Sequence, residues 1–585
     1  MNENLKPFYS LIRDRMDRYI FKNVLGESVS EGIESFYALK KALSGDEEID
    51  YGELIIEVLG GEILDRKLFV DFFVREGLSA SHIDDIASTL NIDTSLTELK
   101  KRSSILNLSN TKIKDSIVEV LNLDPDYFKV EQAAKVITRE VIKPFTPVPI
   151  EDENYLALIP KEFLSLHEYQ KRVKDKLIKE IVFKSDAKAL VHMPTGSGKT
   201  KTSVEAIIDF IKIKLTYPHD PGTVLWFAHS KELCEQAYDT FKSLWSFKGD
   251  YSISAYKVFG DADYNELAKF TKEHTSIVFI GFQKFESLLN AGPENLSLHS
   301  IKQHMVEKTK LVVVDEAHKA LATTYKKALD FVTQTNGCRL VGLTATPGRS
   351  NYITGTNENK ELAQFFGQKI IRITKPDDSI LPNPLKYLQD INVLAEIDQE
   401  ELPVSIDFTK HHYNLKDYKS VSAKDDLTSK ELSIIATDPH RNSVILDKIN
   451  ENKDLSTLVF AASKDHCLIL NRLLKATYNI ESAVILGETN ATVRKRAITD
   501  FKEGRLKILI NYGVLSTGFD APRLNTLIVA RPTKSVVLYS QIVGRALRGT
   551  ANGGNKKNKL ITIKDNLIGF PEPDFMFSYW EEFWN

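Results

Sequence analysis

The stretch VHMPTGSGKT, residues 191–200, constrains this chain more than any other, because a short apolar run opens there into a glycine-rich turn ending in Lys199 and Thr200. Gly196 and Gly198 let the backbone take positive φ, so that successive N–H groups can turn toward one anion, and a helix beginning at the end of the turn adds its positive dipole end. Such a turn is a cradle for phosphate. Within it Thr195, Gly196, Ser197 and Gly198 would surround the anion, Lys199 would neutralise the β- and γ-phosphates, and the Thr200 hydroxyl would ligate Mg²⁺; a chance match to a reduced loop is the alternative. Met193 stands where the strict pattern has glycine.

Four further clusters follow in order. LVVVDEAH (311–318) reads as a buried parallel strand that runs into Asp315 and Glu316 at its carboxyl end, the end that faces the ligand crevice of a doubly wound sheet. Asp315 is placed there to hold Mg²⁺ through water, and Glu316 to orient and deprotonate an attacking water. An ordinary strand followed by an acidic helix start gives the same letters. RLVGLTATPGRS (339–350) is an apolar strand ending in Thr344-Ala345-Thr346 and a Pro-Gly break, and residues 508–530 hold two strand-like runs around Ser516-Thr517-Gly518-Phe519-Asp520. SQIVGRALRG (540–549) spaces Gln541, Arg545 and Arg548 at i, i+4 and i+7, which on a continuous helix shares one face and suits a guanidinium fork reaching a γ-phosphate held by another domain. A solvated surface helix would carry the same spacing.

Over about residues 160–560 this ordered set resembles superfamily 2 helicases and translocases of the DEAH-box, type III restriction enzyme-like branch. HEYQKRV (167–173) looks like that family's glutamine motif, with Gln170 as adenine reader. VLWFAHSKELCEQ, VFIGFQKF and TLVFAASKDHC are similar to its nucleic-acid motifs. The resemblance implies two tandem RecA-like, doubly wound parallel-sheet domains of the α/β class, with ATP and Mg²⁺ between them. His318 and Thr344–Thr346 would couple hydrolysis to nucleic-acid grip, and Gly518 and Asp520 would sense nucleotide across the cleft. The strand's phosphates would meet Ala228, His229, Ser230, Gly281, Gln283, Thr344, Thr346, Ala461, Ser463, Ser516 and Thr517. Gly281 replaces the threonine common at its position. The implied activity is an ATP-dependent helicase or translocase, with DNA favoured over RNA by resemblance alone and a restriction or antiphage system as its setting. An ATP-gated sensor that signals to a partner effector is the alternative.

With 77 Lys+Arg against 80 Asp+Glu, the near-neutral balance of −3 argues against a protein that coats nucleic acid by bulk charge and leaves room for a local basic groove. Cys234, Cys338 and Cys467 are far apart, which reads as core thiols in a reducing, cytoplasmic setting. No run approaches the length of a membrane span. Residues 1–140 carry helical periodicity and read as a separable all-α accessory domain that offers a surface to a protein partner. Residues 141–157, proline-rich and then acidic, read as a linker to domains at 158–372 and 373–565. Inside the helical region LSASHIDDIASTLNID (78–93) and LSNTKIKDSIVEVLNLD (108–124) look alike, a Ser cap before a short amphipathic helix. They read as two capped helices of a bundle or as a helix-turn-helix-like pair. ANGGNKKNKL (551–560) reads as a hairpin tip or a phosphate contact, and the aromatic-rich tail 566–585 as a segment that covers a groove on its own domain, with a partner anchor or base-stacking platform as the alternative.

Overall fold

The structure, a computed structural model, describes residues 5–13, 15–44, 49–123, 139–142, 165–215, 221–260, 275–291, 296–334, 337–348, 356–406, 427–516, 519, 521, 523–533, 535–565 and 584. Eight strands form the first sheet: β1 (Arg139–Ile142), β2 (Lys188–His192), β3 (Thr223–Ala228), β4 (Ile253–Val258), β5 (Ser276–Gly281), β6 (Thr309–Asp315), β7 (Arg339–Thr344) and β8 (Ile370–Arg372). Their order is β1-β4-β5-β3-β6-β7-β2-β8, parallel throughout except for β1 against β4. β3 and β5 are buried along their whole length, because helices cover both faces and both must then be apolar.

Parallel pairing puts the carboxyl ends of β2, β3, β5, β6 and β7 on one edge. His192 pairs with Thr344, Asp315 with Leu343 and Ala228 with Gly281, so five of the sequence clusters meet there.

The second sheet holds β9 (Glu396–Val404), β10 (Thr457–Phe460), β11 (Ser482–Ile485), β12 (Ile508–Asn511), β13 (Thr526–Val529) and β14 (Lys557–Asp565) in the order β11-β12-β10-β13-β14-β9, all parallel. Two doubly wound α/β units therefore stand as expected. The hairpin reading of 551–560 is corrected, since β14 runs parallel to both neighbours. Lys557 and Lys559 pair with Asp398 and Glu400 of the adjacent β9.

Helices run from Lys6 to Val120. The helices Ala80–Thr89 and Asn110–Val120 end alike, on Asn91 (φ 55°) and Asn122 (φ 50°), each followed by an N–H that bonds back into the last turn: Ile92 to the Ala87 carbonyl at 2.8 Å and Leu123 to that of Val118 at 2.9 Å. The two helices also touch, which fits the bundle reading of the repeat.

Two expectations change at the borders. The edge strand β1 crosses the boundary drawn at residue 140, and residues 143–157 of the expected linker lie outside those described. The helical region also packs on the second unit: helix Glu27–Ser44 lies on Ser429–Thr437, Pro439–Glu451 and Lys464–Tyr478, and the two share one buried apolar cluster. Of the tail only Trp584 is described. It is buried in a core cluster of the first unit, so the tail of the second unit delivers this side chain to the other one.

Candidate active site at the domain cleft

Gly196 (φ 83°) and Gly198 (φ 81°) take the left-handed conformation the turn requires. A Cβ at Gly198 would come within 2.2 Å of Gln170 Nε2, so a side chain there would displace that amide as well as strain the backbone. Helix Lys199–Lys214 starts directly after it. Met193, the departure from the strict pattern, is fully buried, and its N–H bonds to the Thr344 carbonyl at 3.2 Å, tying the phosphate turn to β7.

Lys199 Nζ lies 3.4 Å from Asp315 Oδ1 and 3.7 Å from Glu316 Oε1. Burial depresses its ammonium, but Glu316 and Asp315 outweigh burial and raise its pKa. Asp315 goes up, because burial exceeds the pull of Lys199. Glu316, equally buried, is held far below the usual carboxylate range by Lys199 first and then by His318. It is ionised, and it carries φ 52°, a conformation that a non-glycine residue keeps only where its surroundings enforce it.

His318 Nδ1 stands 3.2 Å from Thr344 Oγ1 and 3.3 Å from Glu316 Oε2. The Thr344 hydroxyl donates to the Thr346 carbonyl at 3.0 Å and accepts from the Thr346 N–H at 3.1 Å, which uses its one proton. The hydrogen on this contact is therefore the imidazole's, and burial keeps the ring neutral by lowering its pKa. His318 Nε2 is then an acceptor, buried and without a partner among the described residues.

Gln170, expected to read adenine, holds the turn here: Oε1 accepts from the His167 N–H at 2.9 Å, and Nε2 donates to the Ser197 carbonyl at 3.0 Å. Tyr169 OH donates to the same carbonyl at 2.7 Å. Sequence reasoning passed over Tyr169, although it adjoins Gln170 in HEYQKRV.

The second unit closes on the turn. A Cβ at Gly544 would lie 2.5 Å from the Thr195 side chain, and one at Gly196 would lie 3.1 Å from Leu394. Asn552 Nδ2 donates to the Val393 carbonyl at 3.2 Å and reaches that of Gly196 at 3.5 Å. Arg545 donates to the Phe519 carbonyl and, through Nε, to that of Gln541 at 3.3 Å, and its charge bears on Lys199.

The shared helical face of Gln541, Arg545 and Arg548 is corrected. The helix is Val536–Val543, and Gly544–Ala546 tightens into a 3₁₀ turn where the bare Gly544 meets Thr195. Arg548 lies beyond, in an antiparallel bridge with Leu394.

A cavity of about 830 Å³ lies between the units, and His229, Ser230, Gln283, His318, Ser516 and Gln541 all line it. Six residues expected at nucleic acid or at the catalytic centre thus meet in one space. Glu232 and Arg494, which pair across the cleft, share its wall and were not singled out from the sequence. Burial lowers His229 to a pKa of about 3. Other expected contacts do local work: Ser230 and Ser463 cap the helices Lys231–Lys248 and Lys464–Tyr478, and the Ala461 N–H bonds to the Asn511 carbonyl at 2.9 Å. Thr200 opens helix Lys199–Lys214 at intermediate exposure, and Ala228 and Gly281 end β3 and β5. Thr517, Gly518 and Asp520 lie outside the described residues.

Two doubly wound α/β units, with a glycine-rich turn, an acidic strand end and the second unit seated against that turn, define the tandem RecA-like class of fold. Residues 163–349 match the family described as type III restriction enzyme, res subunit, and residues 440–550 match the helicase conserved C-terminal domain. The chain is a ResIII-like member of superfamily 2.

Among curated relatives, the candidate ATP-dependent helicase IRC3 of Saccharomyces cerevisiae is 29% identical over 243 residues, 41% of this chain and 32% of that one. The type I restriction enzyme EcoKI endonuclease subunit of Escherichia coli is 24% identical over 420 residues, 66% of this chain and 33% of that one. The ATP-dependent RNA helicase DBP3 of Debaryomyces hansenii is 24% identical over 361 residues, 61% of this chain and 57% of that one. The chain thus spans less than two thirds of each of these three.

Proposed function

We propose that this chain hydrolyses ATP as a DEAH-box helicase or translocase acting on DNA, as the motor of a restriction or antiphage system. The observation that carries the reading is Lys199 between Asp315 and Glu316, with Gly544 and Arg545 of the other unit closed on the same turn.

The turn fits MgATP. Its two left-handed glycines leave backbone N–H groups free of side-chain bulk, and Lys199, Thr200 and Asp315 are the groups that would hold the β/γ-phosphates and Mg²⁺. Bound there, MgATP supplies the phosphoanhydride bond whose hydrolysis drives movement. Glu316, ionised in this state, orients a water and accepts its proton, and Arg545 stabilises charge on the transferred group. His318 joins Glu316 to Thr344, so that the state of the site reaches the cavity where Ser230, Gln283 and Ser516 would grip the strand through phosphates without reading bases.

DNA is favoured by the restriction-enzyme description of the matched family and by the EcoKI relative, and the RNA helicase relative makes RNA the comparison that matters. Residues 1–140 are proposed to meet a protein partner, supported by the exposed Tyr19, Leu68 and Leu99. No described helix is long and apolar enough to cross a membrane, and a cytoplasmic setting accords with three buried, unpaired cysteines.

The test is steady-state ATP hydrolysis with no polymer, single-stranded DNA, duplex DNA, forked DNA and RNA, with Glu316→Gln as blank. Stimulation by DNA above RNA is expected, with Glu316→Gln slowed at least about 100-fold while it still binds ATP. Equal rates in Glu316→Gln and wild type would sink the base assignment, and stimulation by RNA alone would replace the substrate.

A further inference from the structure

Trp584 is the described residue of the tail, and it is only 5% exposed, inside an apolar cluster that otherwise belongs to the first unit. Its indole has a single donor, and that donor is used: Nε1–H bonds to the Pro347 carbonyl at 2.8 Å, in a buried setting. Pro347 directly follows Thr346, so the bond lands on the turn that joins β7 to the hydrolytic centre. Upstream, the same turn is fixed by Thr344 Oγ1 with the Thr346 backbone and by His318. Four linked groups therefore run from Glu316 through His318 and Thr344–Pro347 to the indole of Trp584.

We propose that Trp584 is a positioning residue for the stimulation of hydrolysis, not for its basal rate: it clamps the Thr344–Pro347 turn so that nucleic acid binding is transmitted to the Glu316–His318 pair. The proposal rests on the motor reading above.

Nineteen Cα steps separate Asp565, the end of β14, from Trp584, and a chain that long spans up to about 65 Å when extended. Contour length alone does not make the segment a strap, and the proposal rests on the bond the indole makes to the turn.

The experiment uses the full chain as wild type, Trp584→Phe and Trp584→Ala. It reads amide exchange across 344–347, ATP hydrolysis with and without single-stranded and duplex DNA, and Tm. Trp584→Phe fills most of the same space and loses the donor. Its expected result is exchange at Thr346 about tenfold faster and a stimulated-to-basal ratio three- to tenfold lower, with basal rate unchanged and Tm lowered only slightly by the loss of one buried hydrogen bond. Trp584→Ala is expected to go further in the same direction.

Unchanged exchange in both variants overturns the proposal. So does an effect confined to Trp584→Ala in which basal rate, stimulated rate and Tm fall together, since that is core packing. If no polymer stimulates the wild type, the motor reading fails, and the exchange arm still decides whether the indole holds the turn.

Discussion

His466 shows how much a single neutral ring fixes at the start of the second unit. The Ala462 N–H donates to its Nδ1 at 3.0 Å, which leaves Nε2 to carry the hydrogen toward Asn442 Oδ1 at 2.9 Å. Burial drives its pKa well below the ordinary value, and burial lowers His192 to about 4. A histidine depressed in the folded state binds fewer protons there than in the unfolded chain, whose pKa is about 6.5. Stability is therefore fully present above about pH 6.5 and is lost as pH falls from there toward the folded value. Each such ring should cost about 1 kcal/mol between pH 7 and 5.5. Tm measured across that range is expected to fall steeply, and His466→Gln, which cannot take up the proton, should flatten part of the slope. An identical slope in the variant would remove His466 from the account. Nothing in the letters SKDHC distinguishes this structural histidine from a ligand. The roles of Lys199, Asp315 and Glu316, by contrast, could be proposed from spacing, because strand end and phosphate turn are local patterns.

At the scale of elements, legibility followed burial. The central strands announce themselves as apolar runs, since both of their faces are covered. The edge strands do not: β1 reads REVI, and β9 reads EIDQEELPV, mostly exposed or half-exposed and paired along one side only. The helix assumed through 540–549 failed for a related reason, because the sequence does not show that Gly544 will be pressed against Thr195 of another unit. The Ser-led repeat did carry a signal, and its ends sharpen it. Asn91 and Asn122 hold the left-handed positions that stop their helices. Asn91→Ala should cost about 1 kcal/mol, and Asn91→Gly a few tenths at most, because only the former puts an unassisted Cβ into that conformation. Urea unfolding followed by circular dichroism compares the two. Equal losses would mean that the amide side chain, and not the backbone angle, terminates the helix.

The relation between the helical region and the two α/β units belongs to the whole molecule, and periodicity has no access to it, since a helix face looks the same whichever partner it covers. Helix Glu27–Ser44 comes so near to Lys464–Tyr478 that a Cβ at Gly32 would sit 2.4 Å from Ile469 Cδ1. Ile469, Leu470 and Leu473 are fully buried in the cluster that the two regions share. An ion pair, Glu62 with Arg472, also spans the contact, but Glu62 is 57% exposed, and such a pair contributes at most about 1 kcal/mol. Burying each aliphatic side chain contributes roughly 1.5–3 kcal/mol, so apolar packing decides the interface. Arg472→Ala should then leave Tm within a few degrees, whereas Gly32→Leu, which forces apart a seat with no room for a side chain, should destabilise by about 1–3 kcal/mol or more. Removing residues 1–123 uncovers the whole cluster, and the remaining chain is expected to aggregate when expressed alone and to be rescued by co-expression of the missing helices. A soluble, monomeric remainder with the basal ATP hydrolysis of the full chain would show that the helical region is a separable attachment after all, and that the shared core adds little to the second unit's stability.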